Sequence, residues 1–233
     1  VIWGVLPIFW KTLDIVDSVE ILAHRIVWSV VFLGVIIAVR SSWSQLRALT
    51  RPVIGRLLVA GCLLALNWAT YIWAVNNGHI VESSLGYFIN PLLNVLLGVV
   101  ILRERLDAVQ WVAVCIAGSG VGYMTLSVGS LPWIALVLAT SFALYALLKK
   151  QMRAVGPIES LAVEVTLVLA PALVFLTFLG TSGEGAFGSA GPRVTTLLIL
   201  TGVATALPLL LFGAAAPLIK LSTIGLLQYI APS

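Results

Sequence analysis

The sequence has 233 residues, of which 61% are hydrophobic and only 9% charged, and its formal net charge at pH 7 is +4. Soluble domains typically carry about 25% charged residues, so this composition excludes a soluble protein. Together with a mean hydropathy of +1.12, it predicts an all-α protein that crosses a lipid bilayer several times. The basic residues stand in short loops rather than on one continuous surface, which argues against nucleic acid as a partner.

Nine apolar segments follow one another along the chain. A helix needs ~20 apolar residues to cross ~30 Å of hydrocarbon, and the complete segments have about that length. We predict helices at 1–10, 19–39, 53–75, 84–102, 108–126, 132–148, 158–179, 194–218 and from 221 onward. The first and ninth of these are short, so we expect an internal piece of a longer protein, with the first helix truncated at its start and the ninth before its end.

The charges of the loops predict an orientation. If the loop after the first helix lies outside, the inside loops carry 10 of the 13 Lys and Arg residues. Positive residues concentrate on the cytoplasmic side of membrane proteins. The start of the chain is therefore expected in the cytoplasm.

Two stretches of the sequence occur twice at nearly the same spacing. Tyr71–Pro91 aligns without a gap on Phe212–Pro232, an offset of 141, and Glu20–Ala23 recurs as Glu159–Ala162, an offset of 139. A duplicated unit of five helices has an odd number of crossings, so the second copy is inverted relative to the first. Inverted repeats are typical of secondary transporters, in which the solute binds near the membrane midplane where the repeats meet.

Several short motifs carry a resemblance to a known family. They are Glu20-Ile-Leu-Ala-His24-Arg25, Asn67-Trp68, Trp73-Ala-Val-Asn76-Asn77, Ser84-Leu-Gly-Tyr-Phe-Ile-Asn90-Pro91, Leu102-Arg-Glu-Arg-Leu106, Gly129-Ser-Leu-Pro132 and Gln228-Tyr-Ile-Ala-Pro232. Together they resemble the RarD subfamily of the EamA-domain drug/metabolite transporters. The resemblance implies ten helices in the full-length protein, about nine of them partly or wholly present here, as an inverted repeat of two five-helix EamA units at 1–127 and 128–233. It also implies a carrier in the bacterial inner membrane with both termini in the cytoplasm.

Polar and aromatic residues inside the apolar segments are the candidates for lining a solute cavity. An unsatisfied polar group in hydrocarbon costs several kcal/mol, so such side chains must face protein or water. The candidates are Trp3, Asn67, Trp68, Tyr71, Tyr87, Asn90, Asn94, Tyr145 and Gln228. The alternative is that the amides only join helices, at roughly 0.6–2 kcal/mol for each interhelical hydrogen bond, and that Tyr145 and most tryptophans are anchors at the membrane interface.

Three ionisable residues are candidates for coupling or gating: His24, Arg25 and Glu164. Arg25 and Glu164 are equivalent in the repeat, but inversion separates them by ~15 Å along the membrane normal. We therefore expect no ion pair between them. Arg25 should contact carbonyls, Glu20 or His24, and Glu164 should face the cytoplasmic half of the cavity. The alternative is that His24 is structural and that both charged side chains reach to the interface.

The sequence contains no motif of a known catalytic or nucleotide-binding site. Walker A and HExxH patterns are absent from it, and we expect no catalytic residues, no metal and no cofactor.

Cys62 and Cys115 lie in apolar segments and are predicted to be buried free thiols. Gly118 and Gly122 form a GxxxG face that predicts packing within the bundle or a homodimer. The favoured function is a secondary carrier of a small organic solute, and the alternative is a membrane scaffold that transports nothing.

Overall fold

The computed structural model describes residues 2–128 and 132–230, and these residues form eleven α-helices. The helices are α1 (Ile2–Lys11), α2 (Ser18–Val39), α3 (Trp43–Arg47), α4 (Arg51–Asn76), α5 (Ile80–Val100), α6 (Ala108–Val128), α7 (Trp133–Gln151), α8 (Pro157–Leu167), α9 (Leu169–Ser182), α10 (Pro192–Ala215) and α11 (Leu221–Gln228).

The helices confirm the predicted fold class, an all-α membrane protein with several spans. Five of them, α2, α4, α5, α7 and α10, are long and apolar enough to cross a membrane, and the bent pair α8 and α9 passes the same test as one broken span. Each of the nine predicted segments contains a helix or a helix pair. The short helix α3, in the basic loop after α2, was not predicted.

The predicted seventh helix, 158–179, is wrong as a single rod because it is two helices that meet at an angle of 52°. Pro171 has no N–H to donate to the carbonyl of Leu167, and a proline ring clashes with the carbonyl four residues earlier. At the break, the Val168 N–H bonds instead to the carbonyl of Val165, 3.3 Å away. Pro91 and Pro208 lie inside α5 and α10, which remain single helices, so a proline in the sequence was not enough to predict this break.

One compact unit contains Ile2–Cys62 and Ala154–Ala214. In it, α2 packs against α8 and α9, and α10 approaches α2 closely. A Cβ atom on Gly202 would lie 2.3 Å from the backbone carbon of Trp28, so only glycine fits there. Ser29 Oγ on α2 donates a hydrogen bond to the Gly202 carbonyl at 3.0 Å, which fixes the two helices together.

The other compact unit contains the described residues of Leu63–Arg153 and Ala215–Ser233. Here α5 packs against both α7 and α11. A Cβ atom on Gly225 would lie 2.6 Å from the Pro91 carbonyl oxygen, so glycine allows α11 to approach the middle of α5. Leu85 and Ile89 pack on Ala135 and Ala139 of α7, and this cluster holds α5 in place.

Two expectations about small residues need correction or remain open. Cys62 and Cys115 are free as predicted, but both are exposed rather than buried. Apolar residues of a membrane helix face lipid as readily as protein, so an apolar segment does not show which side is inside. At Gly118 and Gly122 an added Cβ would meet no described atom within 4 Å. The predicted GxxxG face is therefore unpacked within the described chain, and its role in a homodimer stays a prediction.

Candidate functional site

Three amide side chains meet between α5 and the end of α11. Asn90 Nδ2 donates to Gln228 Oε1 at 3.0 Å, and Asn94 Nδ2 donates to the same oxygen at 2.8 Å. Asn94 Nδ2 also lies 3.3 Å from Asn90 Oδ1. Asn94 is fully buried and Asn90 nearly so. All three are among the candidates predicted to line a cavity, and we call them the amide cluster.

The amide cluster uses only part of its hydrogen-bonding capacity. Asn94 Oδ1 and Gln228 Nε2 are buried and have no hydrogen-bond partner among the described residues. The first is an acceptor and the second a donor, and neither carries a charge. The cluster therefore keeps one unused acceptor and one unused donor.

Local backbone features bring the amide cluster together. Pro91 lies inside α5, where it cannot donate a backbone hydrogen bond, and Gly225 permits close approach of α11. Tyr229 Oη, just after Gln228, donates to the Phe88 carbonyl at 3.0 Å. This bond fixes the end of α11 against α5 and orients Gln228 toward the two asparagines.

A second group of predicted site residues lies between α4, α5 and α7. Asn67 Nδ2 donates to the Leu138 carbonyl at 2.8 Å and to Ser141 Oγ at 3.0 Å, which joins α4 to α7. The rings of Tyr71 and Tyr87 meet edge to face with centroids 6.2 Å apart. Tyr87 is 53% exposed, so this pair presents an aromatic surface. Asn67 acts here as a link between helices.

Three aromatic candidates lie elsewhere. Tyr145 is fully buried and its ring contacts Phe142, with centroids 5.6 Å apart. Trp3 belongs to the other compact unit, where its ring lies 5.7 Å from that of Phe212. Trp68 is half-buried on α4. A cavity-lining role for these three residues stays a prediction.

The charged candidates are all in the unit that contains α2. Arg25 Nε donates to Thr205 Oγ1 on α10 at 2.9 Å, and its guanidinium carbon lies 4.8 Å from the centroid of the Trp10 ring. Neither partner was predicted from the sequence. Glu164 is buried on α8, and its Oε1 accepts a hydrogen bond from Ser160 Oγ at 2.8 Å. The separate roles proposed for these two charges remain predictions.

Sequence reasoning missed the role of Glu104, which stabilises the start of α11. Its carboxylate accepts hydrogen bonds from the Leu221 N–H at 2.8 Å, the Ser222 N–H at 2.9 Å and Ser222 Oγ at 2.7 Å. Lys150 Nζ donates to the adjacent Ile219 carbonyl. The sequence signal was the Arg-Glu-Arg turn at 103–105, which a topology argument treats only as loop charge.

The same contacts change the acidity of Glu104. Desolvation acts to raise the pKa of this carboxyl, but the hydrogen bonds from Ser222 and Leu221 and the charge of Lys150 together outweigh it and lower the pKa below its usual value. The carboxylate is therefore held in its ionised form, in which it caps α11.

Comparisons with known proteins agree with this architecture. Residues 1–126 match the EamA-like transporter family. The chain is 46% identical over 232 residues to "Protein RarD" of Streptomyces exfoliatus, covering 99% of this chain and 73% of the relative. It is 42% identical over 234 residues to "Protein RarD" of Escherichia coli strain K12, covering 100% of this chain and 79% of that protein.

A third relative and a solved structure extend the comparison. "Uncharacterized transporter YojE" of Bacillus subtilis is 43% identical over 238 residues, covering 100% of this chain and 79% of the relative. A solved crystal structure matches with a TM-score of 0.72 at 17% identity, covering 99% of this chain and 81% of the other, which shows a shared fold alone. With its apolar spans and these relatives, the chain belongs to the RarD subfamily of the EamA-like transporter family and is a multi-pass membrane transporter.

Proposed function

We propose that this protein is a secondary transporter that moves a small organic solute across the bacterial inner membrane by alternating access. The amide cluster is the observation that carries the proposal. It offers a neutral acceptor, Asn94 Oδ1, and a neutral donor, Gln228 Nε2. Both atoms are buried between helices and have no hydrogen-bond partner among the described residues. An uncharged polar group with both donor and acceptor atoms, such as an amide or a hydroxyl, complements this pair.

The arrangement of equivalent helices supports an inverted repeat. The predicted second and seventh helices are equivalent in the repeat, and in one unit α2 packs against α8 and α9. The predicted fourth and ninth helices are also equivalent, and in the other unit α5 packs against α11. Transporters with inverted repeats change access by moving such bundles around a fixed site. The energy for transport comes either from an ion gradient or from the gradient of the solute itself.

The distribution of basic residues supports the proposed orientation. With the start of the chain in the cytoplasm, 10 of the 13 Lys and Arg residues stand in cytoplasmic loops, as expected for an inner-membrane protein. Lys150 and Glu104, which hold the start of α11, would then lie on the cytoplasmic side.

A scaffold without transport activity is the second candidate. It is favoured by the bonds that the amides make with one another and by the fully buried Tyr145, since both hold helices together. The two functions differ in whether the unused amide atoms bind a solute.

A ligand screen followed by a transport assay tests the proposal. The purified protein in nanodiscs is heated with a panel of neutral and charged metabolites, because a ligand that binds only the folded state raises the unfolding temperature. A compound that stabilises the protein is then tested for uptake into proteoliposomes. We expect Gln228→Met to weaken binding and uptake about tenfold, the loss expected for one hydrogen bond.

Gln45→Met is the matched control, because Gln45 is exposed on α3, outside the amide cluster. It should leave binding and uptake unchanged. If no compound is taken up, or if both variants transport equally well, the amide cluster is only a link between helices.

A further inference from the structure

The unit that contains α2 has a cavity separate from the amide cluster. Its volume is about 370 Å³, and it lies among α2, α9 and the loop that follows α9. Cavities that bind small molecules usually measure about 300–1,000 Å³ and combine apolar walls with a few polar groups. Leu179 of α9 contributes to the apolar wall, and Glu20 and His24 of α2 contribute the polar groups.

The hydrogen bond to His24 determines which of its nitrogens carries the proton. Trp28 Nε1 lies 3.2 Å from His24 Nδ1, and an indole nitrogen can only donate. Nδ1 is therefore the acceptor, and in the neutral ring Nε2 bears the hydrogen. His24 is 5% exposed, and Nε2 has no hydrogen-bond partner among the described residues. The nearest acidic oxygen, Glu20 Oε1, is 3.8 Å away. This leaves an unused donor beside a carboxylate.

Glu20 also holds the loop that covers the cavity. Its Oε1 accepts hydrogen bonds from the Ala186 N–H at 2.8 Å and from the Phe187 N–H at 3.1 Å. Phe187 stacks on the His24 ring with centroids 4.8 Å apart and lies near Trp28. Gly183 and Gly188, on either side of this segment, have φ of 74° and 80°, which suits glycine. The loop thus places an aromatic ring over the polar groups.

The charge of the cavity selects for a cation. Glu20 is the one formally charged side chain among the described lining residues, and none of them is Lys or Arg. Its carboxylate has four lone-pair positions, and backbone N–H groups do not neutralise its charge. Trp28 and Phe187 also line the cavity, and aromatic rings attract cations.

We propose that this cavity binds a small organic amine that carries a neighbouring oxygen, such as an aromatic 1,2-amino alcohol. The ammonium group donates to the Glu20 carboxylate, the oxygen accepts from His24 Nε2, and the apolar body lies between Trp28 and Leu179. The 3.8 Å between Nε2 and Oε1 fits two adjacent polar groups of one ligand. This binding site is independent of the proposed transport through the amide cluster.

The test is direct binding to the purified protein in nanodiscs, measured by titration calorimetry with phenylalaninol hydrochloride at pH 7. We expect saturable binding to one site. Phenethylamine, which lacks the oxygen, and 2-phenylethanol, which lacks the charge, should each bind at least tenfold more weakly. This ligand series uses the unaltered protein, so it gives a result even if a variant fails to fold.

A pair of variants separates specific recognition from general attraction to negative charge. Glu20→Gln should weaken phenylalaninol binding at least tenfold. Glu184→Gln, an exposed carboxylate in the same loop but outside the cavity lining, should leave it unchanged. The proposal is overturned if phenylalaninol does not bind, if 2-phenylethanol binds as tightly, or if the two variants lose affinity equally.

Discussion

The two compact units bury polar side chains in different ways. In one, the side chains of Asn90, Asn94 and Gln228 are joined by hydrogen bonds, carry no charge and leave one acceptor and one donor unused. In the other, Glu20 brings a carboxylate into a cavity and is stabilised by backbone N–H groups of a loop. Neutral amides can be buried between packed helices at modest cost, whereas a buried charge must be stabilised by dipoles that point toward it. We propose that the first site recognises hydrogen-bond geometry and that the second recognises charge.

The largest expected effect comes from breaking the helix approach that forms the amide cluster. Gly225→Val places a side chain where a Cβ would already lie 2.6 Å from the Pro91 carbonyl oxygen. We expect a loss of about 3 kcal/mol of stability, measured by thermal unfolding in nanodiscs. Gly34→Ala is the control, since a Cβ there meets no described atom within 4 Å. Equal unfolding temperatures for the two variants would contradict the close packing of α11 on α5.

Replacing one amide tests whether the neutral site is held by its hydrogen bonds. Asn94→Leu removes the donor to Gln228 Oε1 and leaves a buried acceptor with one bond fewer, so we expect a loss of about 2 kcal/mol. Asn77→Leu, at an exposed turn, removes only a solvent-exposed hydrogen bond to the Trp73 carbonyl and should change stability by less than about 0.5 kcal/mol. An Asn94 variant as stable as the Asn77 variant would show that the amide bonds do not hold the helices.

The charged cap at α11 should respond to pH, whereas the amide cluster should not. The pKa of Glu104 is lowered in the folded protein, so its contribution is present above the unfolded pKa and is lost as the pH falls through the folded pKa. We expect Glu104→Gln to lower the free energy of unfolding by about 1 kcal/mol at pH 7. The difference between this variant and the unaltered protein should shrink as the pH falls below the usual pKa range of carboxyl groups. Unfolding temperatures measured between pH 7 and pH 3 check this, and a constant difference would exclude the charged cap.

The smallest effect is expected at positions that belong to neither polar site. Cys62→Ser and Cys115→Ser change exposed residues, and we expect stability within about 0.5 kcal/mol of the unaltered protein. Thermal unfolding of the double variant in nanodiscs measures it. A large loss would place these thiols in a packing contact and restore the interpretation first drawn from the sequence.

The sequence predicted the helices well because apolar length alone determines a membrane span. It selected Asn90, Asn94 and Gln228 within a larger set of cavity candidates, because polar groups in apolar segments must face protein or water, but it did not predict the contacts among these three. It failed for Cys62 and Cys115, because lipid-facing and protein-facing positions are equally apolar. It marked Glu104 only as part of a charged turn and did not predict that it caps α11, because the partners Leu221 and Ser222 are more than a hundred residues away in the chain.

The break between α8 and α9 determines how this part of the protein fits the bilayer. The two helices have 11 and 14 residues, so they are ~16 and ~21 Å long at 1.5 Å per residue. Neither alone crosses ~30 Å of hydrocarbon, and the carbonyls freed by Pro171 must be shielded from lipid. Only the two pieces together are long enough to cross it, and α2, which packs against both, is the protein surface that shields the break from lipid.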